Sequence, residues 1–408
     1  MTQYNIVIVT IADLPEGGGN TSRLKTLVDA LIQAGNKVTI LNQHALGITP
    51  ESVQKSEGQI SGAPYYYVLN TTKRTSGFAS IGIKIRAVIA IAKKLIEYHK
   101  KKEIDVLWFN HLSFYDVYSL TLLARYLNIP TIQSYEDERL ERVSSEKISI
   151  STRIFAVNSA LGDQYCPQLA DGIVVISNYL KSKYDKLSKN PDKVYIVPTI
   201  IDCEQWGCSE EEDTAVPTIL YAGAFNEQDE IENLIEAFAV LISKGYDFRV
   251  VMLGGNERHS DRMAKVYEKI DKLGLSSIVD IKGFVPLAEV KAQVCKSNIL
   301  INIRRDGVYS RSGLSTKLSE YLASGRMVIS SDLGDVSQYL SNGKSALLVP
   351  STVTVDEIYQ ALSQGLQSSD LRRKIGADGR DVAKRYFDVC VAKVKLQAIL
   401  DKVLTESK

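Results

Sequence analysis

The feature that most constrains this chain is an alternation, sustained twice over, between apolar runs of strand length and segments of helical period. Ile6-Val-Ile-Val9 is followed by Thr21 to Ala34, where Leu24, Leu27, Val28, Leu31 and Ile32 fall at helical spacing, and then by Lys37-Val-Thr-Ile-Leu41. A strand, an amphipathic helix ended near Gly35 and a second strand make a β-α-β unit, which requires a parallel sheet. The pattern continues through Asp105 to Phe109, the helical Tyr118 to Tyr126, Pro130 to Gln133, Asp171 to Ile176 and Val194 to Val197. Residues 201–217 break it, holding Cys203, Trp206, Gly207 and the acidic run Glu210-Glu-Glu-Asp213, and read as a linker or surface excursion. A second series starts at Thr218-Ile-Leu-Tyr-Ala222 and runs to Met327-Val-Ile-Ser330. Two βα series of similar size predict two Rossmann-like, doubly wound domains facing across a cleft, residues 1–200 and 201–380. The helical segment Asp381 to Leu404 lies beyond the second series, and residues 381–408 are expected to cross back onto the first domain.

At 408 residues the chain is long enough for two such cores, and 49 Lys+Arg against 48 Asp+Glu give a net charge of +1. That balance argues against a nucleic-acid partner, which needs a concentrated basic face. The N-terminus runs directly into a strand, without the basic and apolar regions of a secretory signal, and no window reaches the ~18 apolar residues of a membrane span. A cytoplasmic protein is the expectation. The five cysteines lack C-x-x-C spacing and are expected to be free thiols of a reducing compartment. One segment departs from neutrality. Residues 73–102 carry nine Lys/Arg against the single acid Glu97, interleaved with Ile81, Ile85, Val88, Ile89, Leu95 and Ile96. This basic amphipathic helix is either the solvated face of a core helix or a peripheral contact with an anionic membrane surface.

Two loops can carry chemistry. Pro15-Glu-Gly-Gly-Gly-Asn-Thr-Ser22 follows the first strand and opens the first helix, where Thr21 or Asn20 can serve as N-cap of a plain turn, or glycine backbone can approach an anion. Further on, Ile301-Asn-Ile-Arg-Arg305 delivers two arginines at a strand end, and a Ser/Gly-rich turn leads into a helix starting near Ser315. Lys317 in the first turn opposes the helix dipole and is badly placed unless an anion sits there as well. Arg304, Arg305, Arg311 and Lys317 therefore suggest a diphosphate site, with Glu320 available to sugar hydroxyls. The plainer reading is an arginine-rich surface loop.

Ser315-Thr-Lys-Leu-Ser-Glu-Tyr-Leu-Ala-Ser-Gly325, followed by Val328-Ile-Ser-Ser-Asp332, resembles the donor-site signature of retaining glycosyltransferases of family 4, which have the GT-B fold. Gly17-Gly18-Gly19, Val174-Val-Ile-Ser177, Tyr221-Ala-Gly223 with Leu234-Ile-Glu-Ala-Phe238, Gly254-Gly255, Gly283-Phe-Val-Pro286 and Gly343-Lys-Ser-Ala-Leu-Leu348 continue the match in order along nearly the whole chain. The resemblance implies a nucleotide diphospho-sugar donor, UDP-sugar favoured, held mainly by the second domain. The sugar would pass with retention to a saccharide or lipid-linked acceptor in cell-surface polysaccharide or glycoconjugate synthesis. No cofactor and no metal are implied, and no D-x-D cluster is found. On this reading Gly18, Gly19, Gly223 and Gly254 line the donor and Phe284 cups the base. Arg304, Arg311 and Lys317 hold the diphosphate, Ser312, Gly313, Leu314 and Ser315 form the turn around it, and Glu320 binds the ribose. His111 and Glu136, each following a strand of the first domain, are the candidates to contact the sugar or orient and deprotonate the acceptor; a loop histidine without a role is the alternative for His111.

Two departures from the family pattern stand out. The family often has a Glu-x7-Glu pair, and the first of those positions is Ser312. The Arg and Lys that grip the diphosphate after the second domain's first strand fall on Ala224 and Asp229. Either Arg304, Arg311 and Lys317 take over the charge, or the chain is a catalytically silent subunit that binds acceptor or supports a partner enzyme. A sugar-nucleotide epimerase of the same fold is a third reading, for which no acid/base residues are located.

Overall fold

The computed structural model describes residues 2–44, 54–72, 78–110, 114–138, 150–209, 216–255 and 260–406. The chain divides into two compact units, Met1–Ile200 with Val389–Lys408, and Ile201–Asp388.

The first unit runs β1 (Asn5–Thr10), α1 (Gly19–Gln33), β2 (Lys37–Asn42), β3 (Glu57–Ile60), β4 (Ala63–Tyr67), α2 (Phe78–Lys101), β5 (Val106–Asn110), α3 (Phe114–Tyr126), β6 (Thr131–Tyr135), α4 (Ile150–Leu169), β7 (Gly172–Val175), α5 (Asn178–Ser188) and β8 (Val194–Ile196). Its sheet has the order β3-β4-β2-β1-β5-β6-β7-β8. Only the β3–β4 pairing is antiparallel. The apolar runs are continuous because both faces are covered: Ile6 and Ile8 of β1 face the layer containing α1, while Val7 and Val9 face the layer containing α2 and α3. In Tyr65-Tyr-Tyr67 the alternation decides the environment, with Tyr65 and Tyr67 buried and Tyr66 exposed, so this triplet is strand packing.

The second unit runs α6 (Cys203–Trp206), β9 (Thr218–Gly223), α7 (Ile231–Ser243), β10 (Arg249–Gly254), α8 (Ser260–Lys272), β11 (Val279–Gly283), α9 (Leu287–Lys296), β12 (Ile299–Asn302), α10 (Val308–Ser312), α11 (Thr316–Ser324), β13 (Met327–Ser331), α12 (Val336–Tyr339), β14 (Leu347–Val349), α13 (Val355–Gln367) and α14 (Ser369–Tyr386). The sheet order is β11-β10-β9-β12-β13-β14, all parallel. Strand order reverses between β9 and β12, and a ligand crevice of a doubly wound sheet belongs beyond the carboxyl ends of strands at that reversal. Chain order ends on α15 (Val389–Glu406), whose buried Ala392, Leu396, Ile399, Leu400 and Val403 join the α1 layer of the first unit. Asn36 Nδ2 donates to Gln397 Oε1 at 2.9 Å and Tyr4 Oη to Asp401 Oδ1 at 2.8 Å, fixing α15 there.

Several expectations are corrected. The stretch 381–404 is not one helix: α14 ends at Tyr386, and Phe387 and Asp388 separate it from α15, with Ile201 N–H donating to Phe387 O at 2.8 Å. The segment after Pro198 is not a surface excursion at its start, because Ile201, Cys203 and Trp206 are buried in the second unit's core; Glu210 to Asp213 lie outside the described residues. Neither Thr21 nor Asn20 caps α1. Gly18 is the N-cap, and the Thr21 hydroxyl turns inward to donate to Asp13 O at 2.8 Å. Nor are all cysteines free. Cys208 and Cys295 form a disulfide across a sequence separation of 87, a pairing that spacing along the chain cannot reveal, while Cys166, Cys203 and Cys390 are not disulfide-bonded.

Candidate active site

In the second unit the strand reversal brings together the ends of β9, β10 and β12 and the start of α11. Gly223 ends β9 and Gly254 ends β10. Gly254 has φ +105°, and a Cβ there would run into the Gly223 carbonyl oxygen, so this floor must be glycine. A Cβ on Gly223 would stand 2.8 Å from Lys317 Nζ. That ammonium is the centre of the site. It lies 5.0 Å from the Tyr221 ring centroid, over its face, and 3.8 Å from Asp229 Oδ1. Asp229 is itself buried and fixed: the Tyr221 hydroxyl donates to its Oδ2 at 2.8 Å and the Asn226 N–H at 3.3 Å. Burial pushes the Lys317 ammonium below its ordinary pKa of 10.5, and Arg304 acts the same way; Asp229 and Glu320 oppose them. Burial and the Asp229 charge hold the Tyr221 phenol well above its usual value, so it remains a hydrogen-bond donor.

Arg304 is placed by its backbone. Its N–H donates to Ser331 Oγ at 2.8 Å, and the Ser331 hydroxyl donates to the Arg304 carbonyl at 2.9 Å. The guanidinium donates to Gln228 Oε1 at 3.2 Å and lies 5.2 Å from the Tyr309 ring centroid. Two cations thus gather at the α11 N-terminus. Arg305 and Arg311 are engaged elsewhere: Arg305 donates to Glu230 at 2.7 Å, and Arg311 forms a two-bond pair with Asp306 on an exposed turn. Ser312 is fully buried, its hydroxyl donating to Tyr309 O at 3.1 Å, so that position cannot present a group to a ligand. Leu314 is buried, while Gly313 and Ser315 border a small recess with Asn302, Arg304, Ser310 and Ser331. The carbonyl oxygen of the buried Asn302 side chain has no partner among the described residues. Glu320 is partly buried one turn into α11, and Phe284, after β11, is 76% exposed.

In the first unit Glu136 follows β6 with a tenth of its side chain exposed. Its Oε1 accepts from Asn110 Nδ2 at 3.0 Å and its Oε2 pairs with Arg23 Nη1 at 3.4 Å. Ser134, Thr199 and Arg23 share a concavity with it. Gly18 and Gly19 open α1 nearby in sequence, and a Cβ on Gly17 would strike Asp13 O and the Thr21 side chain. His111 lies outside the described residues. Glu138, two residues beyond Glu136, is tied to Lys183 by bonds of 2.8 and 2.7 Å, and Lys183 also donates to Asp163 at 2.9 Å. Sequence reading missed Tyr221, Asn302, Arg23 and Asn110 as members of these sites. Each is an ordinary strand or helix residue by pattern, and only the register that puts it at a carboxyl end or first turn marks it.

The family models decide the identity. Glycosyltransferase Family 4 matches residues 17–205 and Glycosyl transferases group 1 matches residues 216–368. The chain belongs to the family 4 glycosyltransferases. Its two parallel-sheet units are those of the GT-B fold. Sucrose-phosphate synthase from Thermosynechococcus elongatus superposes with a TM-score of 0.76 at 15% identity, covering 98% of this chain and 100% of that one. A glycosyltransferase from Rickettsia africae gives 0.70 at 16% identity, covering 98% and 99%. HepE of Anabaena, solved with UDP and glucose, gives 0.70 at 14% identity, again covering 98% and 99%. No curated protein sequence matches the chain. Among the described residues, no helix of this glycosyltransferase is long and apolar enough to cross a membrane.

Proposed function

We propose that this glycosyltransferase moves a sugar, with retention and without a metal ion, from a nucleoside diphospho-sugar, UDP-sugar in the first instance, to a saccharide or lipid-linked acceptor in cell-surface polysaccharide or glycoconjugate synthesis. The observation that carries this reading is the Lys317 ammonium, brought together with Arg304 at the first turn of α11 above a floor that must be glycine. As the bond from the anomeric carbon to phosphate breaks, its electron pair passes to the diphosphate oxygen, where fixed cations and helix N–H groups stabilise it. The acceptor oxygen bonds to the anomeric carbon on the same face and its proton passes to the departing phosphate. On this reading Glu320 takes the ribose hydroxyls and Phe284 the base. Glu136, held as a carboxylate partner of Arg23, fits the orientation of an acceptor hydroxyl better than the removal of its proton. The structural relative solved with UDP and glucose supports the choice of a UDP-sugar.

A membrane-bound acceptor suits α2. Ile85 and Ile89 are 52% and 50% exposed beside Lys84, Arg86, Lys93 and Lys94, while Ala87, Ile91 and Leu95 are buried, so one helix has a core face and a basic, partly apolar outer face. Lys73 and Arg74 lie outside the described residues. Asp229 and the buried Ser312 favour a second reading, a silent subunit. Calorimetry with UDP, GDP, ADP and TDP, on wild type and Lys317→Ala, tests the donor site. Tight binding of one nucleotide, lost in the variant, is expected; no binding of any favours the silent subunit. Labelled donor consumed only when acceptor is added tests transfer, and indifference of binding to anionic vesicles removes the membrane part.

A further inference from the structure

In the diphosphate place of this site stands a carboxylate. Asp229 occupies the position where the family pattern has a gripping lysine, and it is the counter-ion of Lys317. It cannot swing aside. Only 4% of its side chain is exposed, Tyr221 Oη and the Asn226 N–H both donate to Oδ2, and Arg262 Nη2 donates to its backbone carbonyl at 3.2 Å. A phosphate oxygen accepting from Lys317 Nζ at about 2.8 Å would stand no more than about 7 Å from Asp229 Oδ1, within a Debye length and in a partly desolvated pocket. The two negative groups then repel through poorly screened space.

We infer that Asp229 is a release residue: a fixed negative charge that disfavours the nucleoside diphosphate product more than the nucleoside diphospho-sugar donor. The inference rests on the donor reading above. Its logic is one of charge. The donor's diphosphate is esterified at both ends and carries about two negative charges. The product's terminal phosphate, with a second pKa near 6, brings the free diphosphate close to three at neutral pH. A carboxylate beside it penalises the product most. Between turnovers the same carboxylate supplies the anion that a cation in the first turn of α11 needs, so Lys317 keeps a counter-ion while the site is empty. A purely structural Asp229, whose only work is to hold Lys317, would act in the opposite direction, since its neutralisation would weaken nucleotide binding.

The test compares wild type, Asp229→Asn, Asp229→Ala and Lys317→Ala, using UDP, GDP, ADP and TDP as probes in calorimetry. The full chain is used, and thermal melting confirms that each variant is folded. Asp229→Asn keeps an acceptor for the Tyr221 hydroxyl; Asp229→Ala covers the case in which the amide misorients. For the nucleotide that binds, Asp229→Asn is expected to tighten binding about ten-fold, and in turnover to slow release, lowering kcat and strengthening product inhibition more than it lowers the donor KM. Binding that appears only in the Asp229 variants also supports the inference. Wild-type binding that is lost in Lys317→Ala and is unchanged or weaker in both Asp229 variants overturns it while leaving the donor site standing. If neither wild type nor either Asp229 variant binds any of the four, the donor reading fails and the inference with it.

Discussion

The α-carbon of Gly254 lies against the carbonyl of Gly223, so close that no side chain of any size fits between the ends of β10 and β9. The Gly255 N–H seals the contact by donating to the same oxygen at 3.2 Å. Gly254→Ala therefore combines a strained φ of +105° with a backbone collision that no rotamer relieves. A loss of roughly 2 kcal/mol or more in chemical denaturation is expected, together with a larger proportional loss of nucleotide affinity, because the displaced Gly223 carries the floor beneath Lys317. Unchanged affinity in a folded Gly254→Ala protein would show that this floor does not meet the ligand.

Lys317 provides a pH signature with two limbs of opposite sign. Its pKa in the fold lies below 10.5, through burial first and Arg304 next, against the opposing pull of Asp229 and Glu320. On the proposed function the diphosphate is held by the ammonium, so affinity is expected to be full below the lowered pKa and lost as pH rises through it, before free lysine would titrate. Folding stability runs the other way. Between the lowered pKa and 10.5 the unfolded chain binds more protons at this site than the fold does, so the site's contribution to stability rises with pH there. Parallel nucleotide titrations and denaturation curves over the alkaline range would reveal the crossing trends, and Lys317→Ala should abolish both.

The two neighbouring arginines should behave differently despite their identical chemistry. Arg305 is nearly half exposed and committed to Glu230 and Glu232, so Arg305→Ala is expected to cost under about 1 kcal/mol of stability and little transfer activity. Arg304 brings its charge to Lys317, and its guanidinium donates to the neutral amide oxygen of Gln228 rather than to a carboxylate. Arg304→Ala should lower kcat/KM some ten- to hundred-fold, the order of one or two charge-assisted hydrogen bonds. Equal losses in the two variants would place the diphosphate elsewhere.

That difference also marks how far the sequence can be read. The strand and helix order is legible because it follows from periodicity, and the cations near Ser315 stand out in the sequence because they oppose the helix dipole. Which of Arg304, Arg305 and Arg311 faces the ligand is not, since it depends on counter-ions: Glu230, Glu232 and Asp306 draw two of the three away, and those acids are unremarkable in the sequence. The anion demanded by Lys317 in the first turn is present, but the chain supplies it from Asp229, 88 positions earlier by residue number. Burial of Ser312 is likewise a tertiary fact that no local pattern encodes.

The Cys208–Cys295 disulfide joins the segment entering the second unit to the last turn of α9. Around it, the Cys208 N–H donates to Ser324 O at the end of α11, and the Cys295 carbonyl accepts two bonds from Arg326, at 3.1 and 2.6 Å. The crosslink thus lies against the carboxyl end of the helix whose first turn holds Lys317. It closes a loop of 87 residues that contains most of the second unit's β9–β11 half, so cutting it frees much of the unfolded chain. Cys208→Ser, or a thiol reductant on the wild type, is expected to cost about 2–4 kcal/mol, read as a lowered melting temperature of the second unit. Cys203→Ser, a buried free thiol one turn away, should be insensitive to reductant beyond the wild-type response. Equal melting of oxidised and reduced wild type, with the bond verified by non-reducing peptide mapping, would mean that the packing of Ile201, Cys203 and Trp206 already holds this segment without it.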